Sequence, residues 1–207
     1  MQRVLFCDDI MNEIKSRMFP NKKSNNIFYY TKGDIAAYYG YLSLIIEKEK
    51  KGTKYPLIFT TDGIDNAAEN GHLEVVKWLH ANRTDGCSES AMDLAAKNGH
   101  LDIVKLLHEN RKEGCTKWAM DYAAMNGHLN VVKWLHENRK EGCTSNAMNR
   151  ASENGHLDVV KFLYNNKLCF SVEKAIKKAL IKYKYGIVEW LNIVQQNLNT
   201  ENLNTEN

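Results

Sequence analysis

The sequence predicts an all-α solenoid of stacked helix–turn–helix units, and three observations predict it. The tetrad Asn-Gly-His-Leu begins at Asn70, Asn98, Asn126 and Asn154, each step being 28 residues, and a fixed period of about 20–50 residues is the signature of a repeat architecture. The whole unit recurs with the tetrad: NGHLEVVKWLHANRTDGCSESAMDLAAK, then NGHLDIVKLLHENRKEGCTKWAMDYAAM, then NGHLNVVKWLHENRKEGCTSNAMNRASE, and a fourth copy opens NGHLDVVKFLYNN. Finally, each unit reads as two short helices. Stretches of about ten residues cannot bury their apolar stripes alone, so identical neighbours must pile up to share a core.

Taken in order, residues 1–28 carry Phe6, Ile10, Ile14 and Met18 at i, i+4 spacing, an amphipathic helix that ends near Pro20 and caps the first unit. Residues 29–59 hold a degenerate first repeat, Asp34-Ile35-Ala36-Ala37-Tyr38-Tyr39-Gly40-Tyr41-Leu42, offset by three extra residues assigned to a loop over 48–56. The four 28-residue units fill 60–171. In each, Thr116 or its equivalent is an N-cap, and KWAMDYAAM follows with alanines at helical spacing. Asn126-Gly127 stops that helix, both residues tolerating a left-handed backbone. The chain restarts as HLNVVKWLHENRK with Leu129, Val132, Leu135 and His136 on one face. Residues 172–196 keep the period, since Trp78, Leu106, Trp134, Phe162 and Trp190 are 28 apart, but add lysines, as a capping repeat does. The Asn-rich 197–207 is too polar to bury anything and is expected to be disordered.

Composition excludes several classes. Lys and Arg number 28 against 25 Asp and Glu, a net +3 with interspersed signs that gives no strong field for nucleic acid or membrane. No segment approaches the roughly 20 apolar residues that span a bilayer. The N-terminus meets Asp8 and Asp9 too early for a secretory segment. Five cysteines, an odd number, then suggest reduced thiols and a cytoplasmic protein; the acceptor pattern Asn82-Arg83-Thr84 is read as unused.

These units resemble the ankyrin repeat family, in the form common in large DNA viruses of amoebae. The match lies in AA-x-N-G-H-L-x-V-V-K-x-L and covers roughly residues 34–194. The resemblance implies an ankyrin-like α-solenoid acting as a non-catalytic protein-binding module, with a host protein as partner if the chain is viral. Two departures stand out: the unit is shorter than the family's roughly 33 residues, and the usual T-P-L-H opening is replaced by Cys/Thr-x-x-Ala-Met-Asp. Both shorten the connection that would carry a β-hairpin, so little or no strand is expected.

Histidines and cysteines repeat in ladders: His72, His100, His128 and His156; His80, His108 and His136; Cys87, Cys115 and Cys143. Packed helices lie about 8–10 Å apart. Zinc needs ligand atoms about 2.0–2.3 Å from one metal, and a disulfide needs Cα atoms within about 7 Å, so neither ladder makes a metal centre or a cross-link. The histidines are expected to satisfy backbone groups at the helix–helix turn and the cysteines to act as small buried hydrophobes. A residue copied in every unit is not a catalytic constellation, and no phosphate loop, GxSxG elbow or HExxH helix is present. No enzyme activity, cofactor or small-molecule substrate is expected.

The aromatic ladder on the second helices is assigned to packing between them. The alternative is base stacking on a single-stranded nucleic acid beside Lys77, Lys105, Lys133 and Lys161, but Glu74, Asp102, Glu109, Glu137 and Asp158 dilute that ladder, and nucleic acid is not the expected partner.

Positions that build the stack must repeat; positions that face a partner need not. On the first helices Ala91/Ala119/Ala147, Met92/Met120/Met148 and Ala95/Ala123/Ala151 are constant. Ser90/Trp118/Asn146, Leu94/Tyr122/Arg150 and Lys97/Met125/Glu153 vary, at i, i+4, i+7, which is one helical face. The resemblance implies that this stripe lines the concave surface and binds a protein. Trp118, Tyr122 and Met125 form its centre, residue types enriched at binding hot spots, and Lys97, Lys117, Arg150 and Glu153 its polar rim. A different role, as substrate-receptor adaptor of a ubiquitin ligase, would use residues 1–28 as an F-box-like helix. The array is expected to be monomeric.

Overall fold

A computed structural model describes residues 32–50, 57–168 and 171–205. The expected N-terminal helix over 1–28, with its capping or F-box-like role, lies outside the described residues. The helices are α1 (Lys32–Tyr38), α2 (Leu42–Lys50), α3 (Asp62–Glu69), α4 (Leu73–Asn82), α5 (Glu89–Lys97), α6 (Leu101–Asn110), α7 (Lys117–Met125), α8 (Leu129–Asn138), α9 (Ser145–Asn154), α10 (Leu157–Asn165), α11 (Val172–Ile181) and α12 (Tyr185–Thr205). No strand occurs among the described residues. Lys48 to Lys50, assigned to a loop from sequence, are the last residues of α2.

Two layers result. The first helices α1, α3, α5, α7, α9 and α11 pack directly on one another in that order, while the second helices touch their neighbours more sparsely. Small side chains cause the difference: Ala67, Ala95, Ala123, Ala151 and Ala179 occupy one position of the unit, and all are fully buried. From the other side, α4, α6, α8 and α10 bury both residues of each branched pair, Val75/Val76, Ile103/Val104, Val131/Val132 and Val159/Val160, with Leu79, Leu107, Leu135 and Leu163. The 3.6-residue spacing alone places Val132, and not Val131, on the buried face. Val131 is equally buried, because each second helix faces both its own partner and the neighbouring unit.

The units are riveted together by a carboxylate. Asp93 on α5 accepts the Thr116 backbone N–H at 2.9 Å and the Thr116 hydroxyl at 2.6 Å. The same hydroxyl accepts the Trp118 N–H at 3.0 Å, capping α7. Asp121 holds Thr144 in the same way at 2.8 and 2.5 Å, Asp34 holds Thr60 at 2.9 and 3.0 Å, and Asp65 holds both groups of Ser88. These four aspartates are buried. Burial pushes the carboxyls of Asp65 and Asp93 above the ordinary range, with the Ser88 and Thr116 hydrogen bonds pulling against it.

The tetrad is a second rivet. The Asn98, Asn126 and Asn154 side chains donate to the carbonyls of Glu69, Lys97 and Met125 at 2.6, 2.7 and 2.7 Å. Each acceptor is the last residue of the previous unit's first helix, whose carbonyls have no partner inside the helix. Asn126 keeps φ at −98°, so the left-handed turn belongs to Gly127 alone, at φ 78°. The glycine has a second reason: a Cβ at Gly127 would sit 2.5 Å from the His156 ring of the next unit. His72 Nε2 in turn lies 3.0 Å from the Tyr38 carbonyl. On the outer layer, His108 meets the edge of Trp134, His136 that of Phe162 and Tyr164 that of Trp190, at 5.1, 5.7 and 5.5 Å between centroids.

The C-terminal unit departs from the rest. Tyr183 stands at the position of the tetrad glycine and takes φ 56°, a region few non-glycine residues enter. Leu180, Ile181, Tyr183, Tyr185 and Ile193 are exposed, so this unit is less polar than a cap built of lysines would be. Helix α12 runs on to Thr205, into the Asn-rich stretch. Once a helix is nucleated, each further residue fixed adds one hydrogen bond, so extension costs far less than starting anew, and no Gly or Pro interrupts 197–205.

Two predictions concern stability. Ser152 occupies the position of Ala68, Ala96 and Ala124 and is fully buried with its hydroxyl unpartnered. Ser152→Ala should therefore raise stability by about 1 kcal/mol, seen as a melting temperature about 2–4 °C higher. Burial, and secondarily the neighbouring His100 and His156, hold the His128 imidazole below its ordinary value, outweighing its backbone bond to Lys97. Between the folded and unfolded values the unfolded chain binds more protons, so stability falls as pH drops through and below about 6.5. The urea midpoint should fall between pH 7.5 and 5.5, and fall less in His128→Gln than in the parent.

Candidate partner-binding face

One face of the first-helix layer is left uncovered by the stack. Because Ala119, Met120, Ala123 and Ala124 turn α7 toward its neighbours and toward α8, the i, i+4, i+7 positions of the helix point elsewhere. Trp118 is 51 % exposed, and its ring stacks on Tyr122 with centroids 5.2 Å apart and planes at 28°. The Thr116 cap fixes where the Trp118 backbone starts, so the Asp93 rivet also positions the aromatic pair. Tyr122 and Met125 are half-buried and Lys117 is exposed.

On α5, Ser90 is exposed, Leu94 half-buried, and Lys97 lies 3.7 Å from Glu69. On α9, Asn146 is exposed and Arg150 pairs with Glu153 at 2.8 Å. The structure thus joins Trp118 with Tyr122 and Arg150 with Glu153. The same register, continued by one period in each direction, adds Asp62, Asn66 and Glu69 on α3 and Lys174, Lys178 and Ile181 on α11. Sequence reasoning stopped at the three best copies and missed them, although the 28-residue step was signal enough.

The chemically suggestive ladders are structural. Cys87, Cys115 and Cys143 are buried, and desolvation, which exceeds every other influence, raises each thiol to about 11. At neutral pH they are thiols, and the nucleophile is the thiolate. Near Cys87, Glu113 receives Arg111 Nη2 at 2.5 Å. Desolvation alone would raise the Glu113 carboxyl, but Arg111 and the backbone N–H groups of residues 112 and 113 together bring it to about 2. Among the described residues no three His, Cys, Asp or Glu side chains gather where they could hold a metal ion. No described helix is long and apolar enough to cross a membrane.

With this geometry in place, comparisons with known proteins align with the repeat. The family description "Ankyrin repeats (3 copies)" matches residues 64–144 and 120–202. No curated protein matches the chain. Among solved structures, the crystal structure of the human ASB11 ankyrin repeat domain superposes with a TM-score of 0.62 at 18 % identity, over 79 % of this chain and 83 % of that one; at such identity the likeness is one of fold.

Iodoacetamide at pH 7.5 should leave Cys87, Cys115 and Cys143 unmodified in the folded protein and label all three in urea, as peptide mass mapping would read. Rapid labelling of any of the three under native conditions would contradict their burial.

Proposed function

Since the chain belongs to the ankyrin repeat family, whose members generally mediate protein–protein interaction, we propose that it is a non-catalytic binding module whose protein partner docks on the first-helix face around Trp118 and Tyr122. The observation that carries this reading is an exposed Trp118 ring stacked on a half-buried Tyr122, on a stripe of the unit that does not repeat. Large aromatics held rigid against each other lose little conformational entropy on binding, which is why such residues dominate hot spots. The concave side of the solenoid is the natural seat for the stripe, since the alanine-lined first helices approach more closely than the second helices. In this reading Met125 completes the centre, Lys97, Lys117, Arg150 and Glu153 form the polar rim, and Ser90, Leu94 and Asn146 continue the stripe on α5 and α9.

The aromatic ladder of the second helices favours a protein over a nucleic acid. Trp134, Phe162 and Trp190 are half-buried and pack at near right angles against His108, His136 and Tyr164, which ties them into the outer layer, whereas base stacking needs open ring faces. Lys77 is paired with Glu74 at 2.7 Å. The odd cysteine count and buried thiols support work in a reducing compartment such as the cytoplasm, with the protein acting as a monomer.

Immobilised protein should capture a discrete partner from cell extract, and the double variant Trp118→Ala, Tyr122→Ala should weaken that capture by at least about 30-fold, the loss expected of one removed hot spot. Its melting temperature should stay within about 4 °C of the parent, because an exposed ring holds up little of the core. A collapse in melting temperature, or undiminished capture, would sink the reading.

A further inference from the structure

We propose that the occupant of this face is an extended peptide segment with one large apolar side chain for the Trp118–Tyr122 pair, basic residues toward α3 and acidic residues toward α11. The inference rests on the binding reading above and adds the chemistry and order of what binds.

Charge along the stripe is not uniform. The α3 end presents Asp62 and Glu69, both half-exposed, with Asn66 between them. The α11 end presents Lys174, exposed, and Lys178, half-exposed, with exposed Lys177 and Lys182 close by in sequence against one exposed carboxylate, Glu173, which receives the Ser171 hydroxyl at 3.0 Å. Between them the stripe is close to neutral: Arg150 and Glu153 cancel at 2.8 Å, and Lys97 lies against Glu69 at 3.7 Å without matching the second α3 carboxylate, Asp62. Negative and positive ends therefore flank an aromatic centre. An occupant whose charges run the opposite way meets attraction at both ends, and one with like ends meets repulsion at one of them.

Spacing sets the register. Neighbouring helices lie about 8–10 Å apart, and an extended chain rises about 3.3 Å per residue, so about three peptide residues span one unit. Both α3 and α11 are two units from α7, which puts the charged residues roughly six positions either side of the apolar anchor. A helical occupant, rising about 1.5 Å per residue, would need about twice that separation.

Three fluorescein-labelled peptides of about fifteen residues test this, each with a central Phe, Gly/Ser spacers, and ends that are Lys-Lys and Asp-Asp, both Lys-Lys, or both Asp-Asp. Fluorescence anisotropy in about 50 mM salt, where exposed charges are weakly screened, should show the mixed-end peptide binding at least about 5-fold tighter than either like-ended one. Lys174→Glu with Lys178→Glu should move the preference to the peptide with two basic ends. Trp118→Ala should remove binding of all three. Equal binding of the three peptides, no binding of any up to about 1 mM, or a preference unmoved by the lysine reversals overturns the proposal. If extract capture still depends on Trp118 and Tyr122 while the peptides show no order, the module reading stands and the charge order alone falls; if capture ignores that pair, both fall. Circular dichroism of the reversed variant, unchanged from the parent, separates a lost preference from a lost fold.

Discussion

A buried carboxylate that reaches across each inter-unit boundary is the constraint on which the rest of this molecule depends. Asp34, Asp65, Asp93 and Asp121 each hold the backbone N–H and hydroxyl of a Ser or Thr at the start of the following first helix. A charge out of water is expensive unless its lone pairs are met, and here they are met by the groups that begin the next unit. Helix start, unit spacing and helix orientation are thereby fixed in one interaction. Asn149 stands at the next such position, and there the pattern is given up.

Around that constraint the unit divides its labour. Alanines set the distance between first helices, valine pairs and leucines seal the second helices onto them, and the Asn-Gly-His turn locks the edge. Since each residue of the turn acts on a neighbouring unit, none can change alone: the Asn serves the unit before it, and the Gly makes room for the His of the unit after. This explains why the turn is the most constant part of the sequence and why it carries no site chemistry, despite its polar composition.

The fold was legible because a copied module announces both its length and its core: the period, the caps at Thr116 and Thr144, and the alanine positions all follow from comparing units inside one chain. Less was legible where an interaction crosses between units without a residue pattern of its own. The Asp of Ala-Met-Asp was visible as part of a recurring opening, yet nothing in the sequence says that its carboxylate spans 23 residues to the next cap. Asn126 was credited with a left-handed backbone when its side chain does the work instead. In the tail, polarity says what a segment cannot bury but leaves its backbone conformation open, and α12 is helical to Thr205. Of the candidate face, the non-repeating stripe was legible, since absence of repetition is itself a sequence property; the Trp118–Tyr122 stack and the outer contribution of α3 and α11 needed coordinates or a longer alignment of units.

Tyr183 changes the chemistry of the turn. At Gly40, Gly71, Gly99 and Gly127 a hydrogen stands where the histidine of the following unit comes to rest, and here a phenol ring stands instead, 74 % exposed. A histidine could not lie over Tyr183 as His100, His128 and His156 lie over Gly71, Gly99 and Gly127, where even a Cβ would come within about 2.5–2.7 Å of the ring. The position that is smallest between the inner units is thus filled by an aromatic ring beside α11 and α12.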